Sequence, residues 1–233
     1  MYQWVEQCLK QEYKLVRVLK QTPDSSTLVM KHQRSGTNIL VKHIQGAGEV
    51  YRYLLKIRQS NLPQVYEVVH EKEGCLVLEE YIDGITIGDV LQDGCYHRKG
   101  VKNVVLQLCD AVGFLHDSGI VHRDIKPENV MIDNTGCVKL IDFDTARFYK
   151  KTSQKDTDTL GTIGYAAPEQ FGITQTDCRT DIFAIGVLIN VMLTGEHPSI
   201  RFCTGKYRHI VKKCTQMNPG DRYTNVYEIK RRL

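Results

Sequence analysis

The sequence predicts an α+β protein in which a strand-rich first part precedes a mainly helical remainder. Five short apolar runs with strand character lie between Tyr13 and Tyr81, separated by turn-forming residues. From Thr86 onward apolar residues recur at helical spacing. Within that second part, a charged string, Val121-His122-Arg123-Asp124-Ile125-Lys126-Pro127-Glu128-Asn129-Val130, sits in apolar surroundings and is followed by Ile141-Asp142-Phe143-Asp144.

Residues 1–12 place Trp4, Val5, Cys8 and Leu9 at the spacing of a weak amphipathic helix or lead-in. Tyr13 to Leu19 reads as a first strand, Thr27 to His32 as a second and Ile39 to Ile44 as a third. Turn-rich Gln21-Thr22-Pro23-Asp24-Ser25-Ser26 and Ser35-Gly36-Thr37-Asn38 join them into an antiparallel meander. Leu62 to His70 and Gly74 to Tyr81 supply two further strands. Beyond Thr86, the apolar residues Val101, Val104, Val105, Leu108, Val112 and Leu115 form a helical stripe that ends at Gly119. Met131-Ile132 and Val138-Lys139-Leu140-Ile141 flank Asn134-Thr135-Gly136, which has hairpin chemistry. Ile182 to Leu193 is apolar almost all round, as a helix buried in the middle of a lobe requires. Tyr207 to Leu233 reads as helical and basic. There is no internal repeat and no low-complexity stretch.

Composition narrows the classes. A chain of 233 residues can form one large domain or two small lobes sharing a cleft. With 42% hydrophobic and 25% charged residues it is an ordinary soluble globular protein and not a disordered one. A formal charge of +4 without any long run of like charge points to anionic ligands and gives nucleic acid no support. The eight cysteines include no C-x-x-C pair, so zinc-ligand spacing is absent, and they read as reduced core thiols of a cytoplasmic protein. No basic-then-apolar signal segment opens the chain. The longest apolar run, Ile182 to Leu193, is broken by Gly186 and Asn190 and falls short of the about 20 residues that span a bilayer.

Unpaired charge is costly to bury, so the string around Asp124 needs partners, a metal or an anion. Alone, such a run is commonly a solvated loop. At this distance from Asp142-Phe143 it resembles the catalytic and metal-binding loops of the eukaryotic-type (Hanks-type) Ser/Thr protein kinases. Two more motifs follow in the family's order: Gly161-Thr162-Ile163-Gly164-Tyr165-Ala166-Ala167-Pro168-Glu169, similar to the end of an activation segment, and Asn218-Pro219-Gly220-Asp221-Arg222. The resemblance covers residues 13–231, and the Gly164 to Gly172 stretch is similar to bacterial members.

The resemblance implies a protein-kinase-like bilobal fold. Its N-lobe, residues 1–84, has a five-stranded antiparallel sheet with one short helix, and its C-lobe, residues 85–233, is mainly helical. It implies that Asp124 takes the proton of a Ser/Thr hydroxyl on a protein substrate and that Lys126 contacts the transferred phosphoryl group. Lys126 and Pro127 match the Ser/Thr branch. Asn129 and Asp142 are the ligands for Mg2+, with Mn2+ as a second option. Lys42, inside an apolar strand where a lysine otherwise snorkels to water, is the residue that pairs the α- and β-phosphates of ATP. Glu49, the only acidic residue between Lys42 and Tyr66, is its expected helix partner. Glu80 and Ile82 lie in the hinge that holds adenine by its backbone. Glu79 guards the back of the nucleotide pocket, where it can pair with Lys42 when no ligand is present. Arg123 goes with activation by phosphorylation in the loop, at Thr157 or Thr159. Thr162 helps define the substrate hydroxyl, Glu169 pairs with Arg222, and Asp181 braces the catalytic loop.

The pattern also breaks. No glycine occurs from Leu15 to Lys31, where the family's glycine-rich loop belongs. Leu40 replaces a small alanine, Asp144 replaces the glycine of Asp-Phe-Gly, and the stretch after Gly195 is compressed. Two functions stay open: an active ATP-dependent protein Ser/Thr kinase with autophosphorylation in its loop, or a pseudokinase acting as a nucleotide-binding or scaffolding module. A small-molecule kinase is a third option. Bacterial members often carry a transmembrane segment and an outer sensor. Neither is found here, so the sequence is a soluble stand-alone domain or a piece of a longer protein. It fixes neither oligomeric state nor substrate.

Overall fold

A run of strand-forming residues interrupted by polar turns can bury its apolar faces only by pairing into a sheet that other elements cover. The computed structural model describes residues 2–23, 25–46, 48–70, 74–149, 162, 164–171 and 176–233. The chain divides into two units, Met1–Ile82 and Asp83–Leu233.

In the first unit, helix α1 (Tyr2–Glu12) leads into strands β1 (Tyr13–Gln21), β2 (Ser26–His32) and β3 (Asn38–Gln45). Helix α2 (Glu49–Leu54) then precedes β4 (Val65–His70) and β5 (Gly74–Glu80). The five strands form one antiparallel sheet in the order β1-β2-β3-β5-β4. The fourth strand starts later than the sequence predicts because Pro63 offers no amide to a ladder. Alternation sends Ile39, Val41, Val69 and Leu76 to one face, where Val5 and Leu9 of α1 pack on them. The amphipathic lead-in is therefore a packed helix, and this unit carries it in addition to the short helix expected from the sequence. The other face carries Leu40, Lys42, Val77 and Glu79 and meets α2, whose Val50, Tyr51 and Leu54 are buried. Gly48, in left-handed backbone at φ 58°, opens α2; a Cβ there would lie 2.5 Å from Cys75 Sγ, so only glycine lets the helix approach the sheet this closely.

The second unit is mainly helical. Strand β6 (Gly84–Thr86) runs into α3 (Ile87–Gln92), which opens on a capping box of Thr86 and Asp89. Helix α4 (Arg98–Asp117) carries the predicted apolar stripe, all of it buried. Then come β7 (Ile120–Val121), β8 (Val130–Asp133), β9 (Val138–Leu140) and β10 (Arg147–Phe148). Strands β8 and β9 form the predicted hairpin and pair with β6 in the order β6-β8-β9, while β10 pairs with β7. Helix α5 (Cys178–Thr194) is buried on nearly every side and stops at Gly195, φ 72°. Gly186 within it admits α6 (Lys206–Cys214), since a Cβ there would come within 2.4 Å of Cys214 Cβ. The segment read as helical from Tyr207 onward is instead broken. Pro219-Gly220 turn the chain through a 3-10 helix capped by Asn218, and α7 (Val226–Lys230) starts afresh behind Asn225.

Among the described residues no helix is long and apolar enough to cross a membrane. Cys75, Cys109, Cys203 and Cys214 are buried and Cys95 is exposed.

Candidate active site

The loop after β7 is held by a carboxylate from inside the helical core. Asp181, fully buried in the first turn of α5, accepts the His122 amide at Oδ2 (2.9 Å) and the Arg123 amide at Oδ1 (2.8 Å). His116 of α4 donates from Nε2 to the same Oδ2 at 2.8 Å. Burial works to raise the Asp181 pKa, but the His116 bond and charge, His122 and the Arg123 amide outweigh it, and the carboxyl lies below its usual range. Arg123 adopts left-handed backbone, φ 73°, a conformation unfavourable for a side-chain-bearing residue. Gln170 fixes it from the other side by donating to the Arg123 carbonyl at 2.8 Å.

His122 is buried within this frame. Its Nε2 donates to the Ile141 carbonyl (3.2 Å) and its Nδ1 receives the Asp124 amide (3.4 Å). One donor and one acceptor define a neutral imidazole, and burial, against the pull of Asp181, Asp142 and Asp124, holds its pKa below the usual histidine value. Phe143 packs edge-on against it at 5.1 Å.

On this base Asp124, Lys126, Asn129 and Thr162 close into one hydrogen-bonded group. Lys126 Nζ lies 2.8 Å from Asp124 Oδ2 and donates to Thr162 Oγ1 at 2.8 Å. Thr162 donates in turn to Asp124 Oδ1 at 2.7 Å. Asn129 Nδ2 donates to both the Asp124 carbonyl (2.8 Å) and Oδ2 (2.9 Å). The carboxylate is thus oriented at both oxygens, with a cation beside it and a hydroxyl proton pointed at it.

The Ile141 amide donates to the Asn129 carbonyl at 2.9 Å, which carries Asp142 past Asn129. With the Asn129 amide nitrogen committed to Asp124, its oxygen is the atom left for a cation, and Asp142 adds a carboxylate. That hard-oxygen pair fits a small divalent cation that takes one or two protein ligands and draws the rest from phosphate and water. Among the described residues no group of three or more His, Cys, Asp or Glu could hold a metal unaided. The positive φ falls on Asp142, 66°, and not on Asp144, which lies exposed in a turn. Replacement of glycine at 144 therefore puts no strain on the backbone there.

In the first unit, Lys42 pairs with Glu79, the second glutamate the sequence offers it, and not with Glu49. Its Nζ lies 2.9 Å from Glu79 Oε1 and donates to the Tyr51 hydroxyl at 3.2 Å. Glu49 is exposed and forms no ion pair among the described residues. The physical reason is the length of α2: it begins at Glu49 and runs only six residues, so the side chain it buries toward the sheet is Tyr51. The Glu80 amide bonds to the Gln64 carbonyl and its carboxylate to the Gln64 amide, while Ile82 is buried at the unit's end. The turn between β1 and β2 closes on itself: Thr22 N donates to Ser25 O, and Ser25 N to Thr22 Oγ1.

Glu169 and Arg222 form a buried two-pronged pair at 2.7 and 2.8 Å. Thr180 donates to Glu169, and the guanidinium lies 4.9 Å from the centre of the Phe183 ring. Thr157 and Thr159 lie outside the described residues.

Sequence reasoning missed three participants. His116 had a signal, since it continues the α4 stripe one turn beyond Val112 on a face that is otherwise apolar. Gln170 had none, because Arg123 is distant in sequence, and Tyr51 had none, because nothing in its neighbourhood marks its hydroxyl as turned toward Lys42.

Residues 11–231 match the family described as "Protein kinase domain". The serine/threonine-protein kinase PknB of Mycolicibacterium smegmatis is 37% identical over 128 residues, covering 53% of this chain and 20% of that protein. PknB of Mycobacterium leprae is 39% identical over 127 residues, 53% of this chain and 20% of the relative. The serine/threonine-protein kinase PrkC of Bacillus subtilis is 33% identical over 140 residues, 59% of this chain and 22% of the relative. The chain spans about a fifth of the length of these curated relatives.

Proposed function

We propose that this chain, which belongs to the protein kinase family, is an ATP-dependent protein serine/threonine kinase that moves the γ-phosphoryl group of Mg-ATP to Ser/Thr hydroxyls. One observation carries this reading. The Thr162 hydroxyl sits between Asp124 and Lys126, giving its proton to the carboxylate and its lone pair to the ammonium. A substrate hydroxyl needs those same two contacts.

In this reading Asp124 accepts the hydroxyl proton as the oxygen bonds to the γ-phosphorus and the bond to the ADP oxygen breaks. Lys126 counters charge on the group in transit, and Asn129 keeps Asp124 in orientation. Thr162 positions the substrate hydroxyl, Lys42 pairs the α- and β-phosphates, and the backbone at Glu80 and Ile82 takes adenine. Asn129 and Asp142 would hold magnesium, or manganese in its place, which would supply neutralisation of phosphate charge. Thr157 or Thr159 is the autophosphorylation site, with Arg123 as the cation that receives the phosphate. The names of the relatives support the Ser/Thr class.

A second reading, a nucleotide-binding or scaffolding module without turnover, is favoured by the turn at Thr22 and Ser25. Their amides are spent on each other, and no glycine occurs from Leu15 to Lys31.

The test is transfer of phosphate from ATP and magnesium to the protein itself and to a generic basic protein, read by intact mass, with Asp124→Asn as control. Phosphate in the wild type alone supports the kinase. None, with magnesium or manganese and a folded sample, selects the second reading.

A further inference from the structure

Lys42 and Glu79 are placed by the sheet and not by mobile loops. In the β3–β5 ladder Lys42 stands opposite Val77 and Leu40 opposite Glu79, so the two charged residues are diagonal neighbours on one face. Both are buried: Lys42 is 5% exposed and Glu79 1%. Water therefore screens their 2.9 Å contact poorly. Tyr51 of α2 completes the cradle with its hydroxyl at 3.2 Å and its ring centre 5.6 Å from Nζ. An ammonium already neutralised in a dry site cannot serve a phosphate until the resident carboxylate yields.

We infer that Glu79 is a built-in competitor of the nucleotide. Its carboxylate holds the Lys42 ammonium in the nucleotide-free protein, and ATP binds by exchanging that carboxylate for phosphate oxygens. The inference rests on Lys42 being the phosphate-pairing lysine of the proposed function. Glu79 acts through Lys42 and is a positioning residue; it touches no reacting atom. It lowers affinity for every ligand that presents an anion to Lys42 and leaves uncharged ligands alone. The consequence is a threshold: nucleotide binds only at a concentration high enough to dislodge a tethered carboxylate.

The test is a binding cycle by calorimetry with Mg-ATP and with adenosine, on wild type, Glu79→Gln, Lys42→Met and the double variant. Glutamine keeps the shape and an acceptor while losing the charge. Glu79→Gln should tighten ATP by about tenfold, a coupling ordinary for linked sites, leave adenosine unchanged, and lose its effect in the Lys42→Met background. An unchanged ATP Kd, an equal gain for adenosine, a gain that persists without Lys42, or no ATP binding by either wild type or Glu79→Gln overturns the inference.

If Glu79→Gln does not fold, nitrogen-15 resonances of lysine ammonium groups in the wild type decide. The Lys42 signal, identified by its loss in Lys42→Met, must move with ATP and stay with adenosine; any other outcome overturns the proposal. Phosphate transfer is read separately. A protein that shows the coupling and transfers nothing keeps the competitor and loses the kinase. Transfer by a wild type whose ATP affinity ignores Glu79 does the reverse.

Discussion

Asp181→Asn removes one negative charge and turns one acceptor into a donor. The wild-type carboxylate takes three bonds, from His122 N (2.9 Å), Arg123 N (2.8 Å) and His116 Nε2 (2.8 Å). Asparagine can place its oxygen at the Oδ2 position and keep two of them, now without charge. Its NH2 then faces the Arg123 amide, donor against donor. A bond to a charged acceptor contributes about 1.5–3 kcal/mol, and a buried amide left unsatisfied costs a further 1–3 kcal/mol or about that. The expected loss is about 3–5 kcal/mol, which in a chain of this size lowers Tm by about 6–20 °C. Circular dichroism melts at pH 7 measure it directly. The acid limb gives a second readout. The folded-state pKa of Asp181 is lowered, so its contribution is complete above the unfolded value of about 4 and fades as pH falls through the folded one. The gap between wild type and variant should therefore narrow below about pH 4. A loss under about 1 kcal/mol at pH 7, or a gap that widens in acid, would refute the view that this carboxylate carries the loop.

Arg222→Ala strands Glu169 in the core with the Thr180 hydroxyl and should cost about 3–5 kcal/mol, while Glu169→Leu with Arg222→Met should recover much of it; a double variant as unstable as the single one would count against the pairing argument. His122 is kept neutral by burial, so its folded pKa lies below the unfolded value of about 6.5 and the unfolded chain takes up the proton first. Stability from this residue is full above about pH 6.5 and declines below it. Tm should fall more steeply between pH 7.5 and 5.5 in wild type than in His122→Gln, and equal slopes would sink the assignment.

The sheet was legible because its strands alternate and its turns carry Gly, Asn, Ser and Pro; period and punctuation are local properties. The hydrogen-bonded group at Asp124 was legible because Asp124, Lys126 and Asn129 lie within a few residues of one another and at the family's distance from Asp142-Phe143. What stayed hidden depends on packing between distant segments. The short interval from Lys42 to Glu49 already signals a short α2, but nothing near Glu49 tells that Tyr51 arrives at Lys42 instead. The role of α1 could not be separated from a loose lead-in, since its apolar stripe is weak until Val5 and Leu9 meet Ile39, Val41 and Leu76. Tyr207 to Leu233 was misread for the opposite reason. Its two ends favour helix, but Pro219 and Gly220 between them interrupt it.

The left-handed backbone at Arg123 and Asp142 has a consequence for the order in which the molecule assembles. Each conformation costs about 1–2 kcal/mol when the surroundings are missing, so neither loop can gain from forming early. A segment that is uphill by itself cannot serve as a folding nucleus. The helical core, with Asp181 ready to receive two amides, must come first. The loop around Asp124 is then set after the core that holds it, and released as that core loosens.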